Sequence, residues 1–194
     1  GIRPLANDCV IEDSYFIACR TGGVYITGSP SGIRFQGNRV EGNGYGFLTQ
    51  DACTATYIEV LDNYFYGDRQ NINSRALGGD GIEINTPTGR AQHVTISRNQ
   101  VHNYGGTTAS GIGIGAAHVD YLTIDNNTVT NTLGAGYAND AIHVEDASHF
   151  VKIRGNTCLG MGDGWGVNVL ETVGGQSSDN NLTSDIEISG NICN

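Results

Sequence analysis

One lysine, Lys152, stands in the whole chain, and Lys and Arg together number 10 against 20 acidic residues, a formal net charge of −10. Nucleic acids and anionic membrane surfaces are held by clustered positive charge, so both are excluded as partners. An anionic polysaccharide is repelled overall as well, unless a local Arg compensates. Proline is scarce, 3 residues against 29 glycines, which suits a chain of many tight bends and unbroken strands. No apolar run approaches the length of a membrane span, and the first residues, GIRPLANDCV, lack the charged-then-apolar layout of a signal peptide. The five cysteines form no CxxC or other metal-ligand spacing, and no metal or other cofactor is expected.

What the chain does have is a nine-residue pattern that occurs seven times: DCVIEDSYF (8 to 16), GIRFQGNRV (32 to 40), YIEVLDNYF (57 to 65), HVTISRNQV (93 to 101), YLTIDNNTV (121 to 129), FVKIRGNTC (150 to 158) and DIEISGNIC (185 to 193). Positions two and four are apolar and mostly β-branched, the mark of a strand with one buried face. Position nine is apolar again beyond a polar seventh position, so a bend separates two inward-facing segments. The seventh position reads Ser14, Asn38, Asn63, Asn99, Asn127, Asn156, Asn191. An Asn held at a bend can donate to and accept from the Asn of the circuit above and below, satisfying buried polar groups along a stack. Successive copies lie 24 to 36 residues apart, the period of a solenoid in which each repeat packs on its neighbours.

This pattern resembles the right-handed single-stranded parallel β-helix of pectate lyases, polygalacturonases, mannuronan epimerases and phage tailspikes, and the likeness covers the whole chain. It implies an all-β domain over residues 1 to 194, of about seven coils with an asparagine ladder. It also implies a polysaccharide partner, an extracellular or virion location, and a homotrimer of the tailspike kind. Neither end carries a segment suited to capping the solenoid, and the chain reads as the middle of a longer protein.

A second strand recurs between copies: GVYI (23 to 26), GFLT (46 to 49), GIEI (81 to 84), GIGI (111 to 114), AIHV (141 to 144) and GVNV (166 to 169). The corners before it carry insertions at 66 to 80, 102 to 110, 130 to 140 and 159 to 165, and a polar stretch, 172 to 184, follows its last copy. Variable loops on a rigid scaffold are where binding usually resides. Aligning the copies stacks Asp80, Ser110 and Asp140 in one column, with Trp165 one coil beyond. Glu83, Gly113 and His143 fall in the next, and Asn85, Gly115 and Glu145 in a third.

Carboxylates two coils apart suit an inverting glycosidase, one acid protonating the leaving oxygen and one base activating water. Asp80 with Asp140, or Glu83 with Glu145, supplies such a pair, above a low glycine floor. His143 adds a group that titrates near neutral pH. Tyr137, Trp165, Asn85, Asn168 and Arg75 are candidate substrate-binding residues, and Tyr25, Tyr45 and Tyr104 are further outward or corner aromatics. Arg69, Arg75 and Arg90 near the groove, and the YANDAIH segment with Tyr137, Asp140 and His143, keep a lyase or uronate epimerase open. The same residues also suit plainer duties. Asp80 and Asp140 fit turns, Glu83 and Glu145 a solvated surface, and the chain a non-catalytic glycan-binding or fibre segment. Cys158 and Cys193 share one inward column, either as small buried hydrophobes or as a disulfide.

Overall fold

The computed structural model describes residues 1–4, 6–19, 22–42, 44–49, 52–67, 79–105, 111–132, 139–162, 164–170 and 183–194. Among them are twenty strands, numbered here in chain order, and no helix. Sheet one contains β1 (Val10–Glu12), β4 (Ser31–Gln36), β7 (Thr56–Leu61), β10 (Ala91–Ser97), β13 (Val119–Asp125), β16 (His149–Arg154) and β19 (Ser184–Ser189). Sheet two contains β2 (Tyr15–Ile17), β5 (Arg39–Glu41), β8 (Tyr64–Tyr66), β11 (Gln100–His102), β14 (Thr128–Thr130), β17 (Thr157–Leu159) and β20 (Ile192–Cys193). Sheet three contains β3 (Gly22–Ile26), β6 (Tyr45–Thr49), β9 (Ile82–Asn85), β12 (Ile114–Ala117), β15 (Ile142–Glu145) and β18 (Val167–Val169). All pairings are parallel, and each strand lies beside the one three places earlier in the chain. The protein is therefore all-β, with the order of an all-β solenoid and compatible with a parallel β-helix.

The inward columns expected from the pattern form the core. Ile33, Phe35, Ile58, Val60, Ile96, Ile124 and Ile153 from sheet one meet Val40, Phe65, Val101, Val129 and Cys158 from sheet two and Ile82, Ile84, Ile142 and Val144 from sheet three. Burial of these side chains, at about 1.5–3 kcal/mol each, is the main stabilising term. Phe35 also packs near Phe16, Phe47 and Phe65, with ring centroids 5.6–6.0 Å apart.

Corners are sharper and more numerous than the pattern suggested. The first and sixth template positions both take the left-handed conformation in all seven copies, from Asp8 and Asp13 to Asp185 and Gly190, with φ between +46° and +72°. The sixth-position residue follows the end of the strand of sheet one, and the first-position residue kinks that strand near its start in six copies, from Gly32 to Asp185. A further left-handed residue, Ala18, Gly42, Asn103, Asn131 or Gly160, closes the strand of sheet two in five copies.

One strand lies elsewhere than expected. In the fourth circuit Ile114–Ala117, not Gly111 to Ile114, pairs with Ile82–Asn85 on one side and Ile142–Glu145 on the other. A two-residue slip preserves the alternation of GIGIGAA, so apolar pattern alone cannot choose between the two registers. The short corner decides: β12 has to reach His118 and Val119, where sheet one resumes. Ile112 is consequently only half-buried, while Ile114 and Ala116 point inward.

At the corner between sheets one and two, asparagines hydrogen-bond in file. Asn38, Asn63, Asn99, Asn127 and Asn156 each donate both the backbone N–H and Nδ2 to Oδ1 of the next Asn, at 2.9–3.1 Å. Each Nδ2 also reaches a carbonyl of the preceding circuit, Val60 O in the case of Asn99. Ser14 joins at one end only through its backbone N–H, which donates to Asn38 Oδ1. Cys158 and Cys193 are register partners with free thiols, the first buried and the second exposed.

Asn99→Ala would strand the Asn63 amide, the Asn63 Nδ2 and the Val60 carbonyl in a dry site. We expect a loss of about 1–3 kcal/mol in urea denaturation, the cost of unsatisfied buried groups. An unchanged midpoint with unchanged slope would show that this file does not carry stability.

Candidate active site

Three columns run across the outer face and leading edge of sheet three. Hydrogen bonds across successive corners, from Gly46 N to Asp80 O, Gly81 N to Ile112 O, Gly113 N to Asp140 O and Ala141 N to Trp165 O, align Tyr45, Asp80, Ile112, Asp140 and Trp165. The second column is Tyr25, Leu48, Glu83, Gly115, His143 and Asn168. Asn85, Ala117 and Glu145 make the third. The shifted strand thus corrects the expected columns: Ile112 lies between Asp80 and Asp140, and Gly115 and Ala117 occupy the places assigned to Gly113 and Gly115. Ser110 lies outside the described residues.

Asp140, His143 and Glu145 form one hydrogen-bonded unit. Asp140 is 1% exposed; it accepts from the Trp165 backbone N–H at 2.8 Å, Asn168 Nδ2 at 2.9 Å and His143 Nδ1 at 2.6 Å. The other ring nitrogen, Nε2, lies 2.9 Å from Glu145 Oε2. Burial works against a charged Asp140, yet the donors from His143, Asn168 and Trp165 outweigh it and hold the carboxyl below its usual range. Burial likewise opposes a charged His143, but hydrogen bonds to Asp140 and Glu145 raise it to about 9. At neutral pH the ring is an imidazolium clamped between two carboxylates.

This arrangement alters two expected roles. Asp140 is enclosed, with its oxygens taken by His143, Asn168 and the Trp165 amide, and it stands two circuits from Asp80 in the same column, with Ile112 between them. His143 is itself buried, and it orients Glu145 instead of standing open in the groove. The carboxylates left within reach of solvent are Glu145, with a side chain 19% exposed, and Asp80 and Glu83, which are partly buried.

Asp80 reaches over the neighbouring strand. Its Oδ1 accepts the Ile112 N–H at 2.9 Å, and its Oδ2 lies 3.8 Å from the point where a side chain on Gly115 would begin. Gly115 is flanked in register by Glu83 and His143, and Ile112 Cγ2 lies 3.5 Å from the same point, so Asp80, Glu83 and His143 gather around one small residue and Glu145 joins them through His143. Burial and the charge of Glu83 push Asp80 up to about 8, with Glu145 adding to the shift and Ile112 and His143 opposing it. Asp80 is therefore a protonated acid at neutral pH, while Asp140 in the same column is ionised.

Tyr45 is a site residue that sequence reasoning left in a general inventory of aromatics. Its phenol is raised by burial and then by Glu83 and Asp80, so it shares their environment; the register Tyr45 to Asp80 was the signal that could have found it. Trp165 holds its indole in solvent, 68% exposed, open to stacking. Asn168 uses its amide on Asp140, and the Asn85 backbone N–H is tied to Thr49 Oγ1. Arg90 does not serve this face; it binds Asp120 and the Ala147 carbonyl. Tyr104 is fully buried instead of lying at an open corner. Tyr137, Arg69, Arg75 and most of the 172 to 184 stretch lie outside the described residues. Among the described residues, no group of three or more His, Cys, Asp or Glu is arranged to hold a metal ion.

Two of these groups bind protons more tightly folded than unfolded. His143 stabilises the fold fully below its unfolded value of 6.5 and loses that contribution as pH rises through about 9. Asp80, raised from 3.8 to about 8, adds a loss that is complete above about 8. The melting temperature should therefore fall between pH 7 and 10, and His143→Gln should flatten the upper part of that fall. A variant whose alkaline profile matches the parent would show that His143 is not charged in the fold.

No family model, curated protein or solved structure matches the chain.

Proposed function

We propose that the chain is a right-handed parallel β-helix of about seven coils with an asparagine ladder, and that it cleaves glycosidic bonds in a polysaccharide at the face centred on Gly115. The observation that carries this reading is that Asp80 and Glu145 are held in different environments beside Gly115, Asp80 on the Ile112 N–H and pushed up to about 8, Glu145 on the ring of His143. Such separation is how acid and base roles are assigned at a single pH. A sugar ring lying over Gly115 receives the Asp80 proton on the leaving oxygen as the bond from that oxygen to the anomeric carbon breaks. Water adds to the anomeric carbon from the other side and gives its proton to Glu145.

Asp80 and Glu145 come from circuits two apart, and the inverting reading places a water molecule between them. Glu83 then keeps Asp80 protonated, and His143 fixes the base. A carboxylate-lined site on a chain of net charge −10 favours a neutral glycan, which weighs against lyase or epimerase action on uronates.

Reducing-end release from a panel of neutral polysaccharides tests the reading. Asp80→Asn and Glu145→Gln should each lower turnover about 10²–10⁴-fold with the fold intact. Gly115→Val, which keeps a strand-forming residue but fills the centre, should also abolish it. Products carrying an unsaturated end would point to a lyase, and a protein that binds glycans without cleaving them would leave only the non-catalytic alternative.

The pH dependence gives an independent check. Activity should fall as pH rises through about 8, when Asp80 loses its proton. Glu83→Gln removes the charge that helps to raise Asp80, so the alkaline limb should move to lower pH. Movement in the other direction, or none, would remove Asp80 from the role of acid.

A further inference from the structure

A second face of the molecule carries an arrangement that the cleavage site does not use. At the first template position, where every residue is left-handed, four rings stack up the edge of sheet one. Tyr57 to His93, His93 to Tyr121 and Tyr121 to Phe150 lie 4.8, 4.7 and 4.9 Å apart between centroids, with planes within 7° of parallel. The stack stops at Tyr57 because the next residue in the column is Gly32, bracketed by the pairs Ser31 to Thr56 and Ile33 to Ile58. Glycine brings no side chain against the outer face of the Tyr57 ring, and Tyr57 is 59% exposed, more than Tyr121 or Phe150 at 49%.

One circuit further, Asp8 leans into the space Gly32 leaves. Its Oδ1 lies 2.5 Å from the point where a Gly32 side chain would begin. Adjacent strands are about 4.8 Å apart, so a ring laid on the Tyr57 face would come level with Gly32, with glycine at its back and the Asp8 carboxylate at its upper edge. This space opens into a groove of about 670 Å³ that follows the stack along sheet one, past Arg34 and Glu59. Those two are paired at 2.7 Å, so Asp8 is the acceptor left facing the slot.

We infer that this slot binds a single neutral pyranose ring of a glycan chain, at a non-catalytic site separate from the Gly115 face. A pyranose offers an apolar C–H face to lie on Tyr57 and hydroxyl donors at its rim for Asp8. A Phe side chain from a protein partner meets the ring but leaves the carboxylate without a donor, and a Tyr or Trp brings a single donor where a pyranose brings several. An anionic ligand meets Asp8 and a chain of net charge −10. The groove beyond carries the rest of the glycan along the ring edges, where Tyr and His present polar atoms at a regular rise.

The test uses the Asp80→Asn chain, so that failure of the cleavage mechanism and failure of the slot are read separately. Cello-, xylo-, manno- and galacto-hexaose are titrated at millimolar concentration, with saturation-transfer NMR and calorimetry as readouts. At least one should bind, Tyr57→Phe should bind like its parent, and Tyr57→Ala should lose at least tenfold in affinity. Gly32→Tyr is the second variant: the column already holds aromatic residues in this conformation, and Asp8 can swing aside. It should extend the stack to five rings, fold as before and bind nothing. The inference is overturned if none of the four sugars binds, if Gly32→Tyr folds and binds like its parent, or if Tyr57→Ala leaves binding intact. A change in sedimentation on Tyr57→Ala without any sugar binding overturns it too, since the face is then a contact between copies of the chain.

Discussion

Amide hydrogen bonding between one asparagine and the next is the constraint on which the rest of the molecule depends. The side chain of Asn99 accepts from Asn63 while donating to Asn127, so every member needs a neighbour one circuit away at the same height. Burial leaves no water to substitute, and an unmade bond there costs the full desolvation of the group. The file therefore fixes the register of sheet one on sheet two at each corner. With those sheets locked, sheet three inherits the same vertical spacing and its outer columns fall into line.

That inheritance is what makes the electrostatics of the Gly115 face possible. Carboxylates brought this close would normally repel one another or drift apart on flexible loops. Here Asp80 is held by the Ile112 amide and Asp140 by three donors, and the charge on His143 offsets part of the repulsion. The cluster remains costly, since Asp80 is kept in a form it would not adopt in water. Stability of this kind belongs to the strands beneath it, whose apolar burial is large enough to hold a strained polar surface in place.

Much of this was legible in the residues and some was not. The seven-fold pattern gave the strands, the inward columns and the seventh-position corner, because period-two apolarity and a buried amide each leave a local signature. Register in the fourth circuit was not legible: GIGIGAA alternates equally well in two positions, and only the length of the corner to Val119 separates them. Neither was the enclosure of Asp140, which depends on Asn168 and the Trp165 amide 25 or more residues away. The left-handed first position was hidden for a different reason. Tyr57, Tyr121 and Phe150 are side chains that rarely adopt positive φ, and nothing in a single copy suggests that they do so here.

The two faces differ in what can vary on them, and that difference bears on what each can recognise. Segments of unequal length join the strands of sheet two to those of sheet three, so the Gly115 face belongs to strands whose connections vary from circuit to circuit. The corner between sheets one and two admits no insertion, because the residue before each Asn is left-handed and the Asn must stay in file. Sheet one therefore presents a surface repeated at constant rise. Asp8, Gly32 and Asp185 take the same left-handed corner without carrying a ring, so the conformation belongs to the coil, and Tyr57, His93, Tyr121 and Phe150 stack on a position the fold already provides.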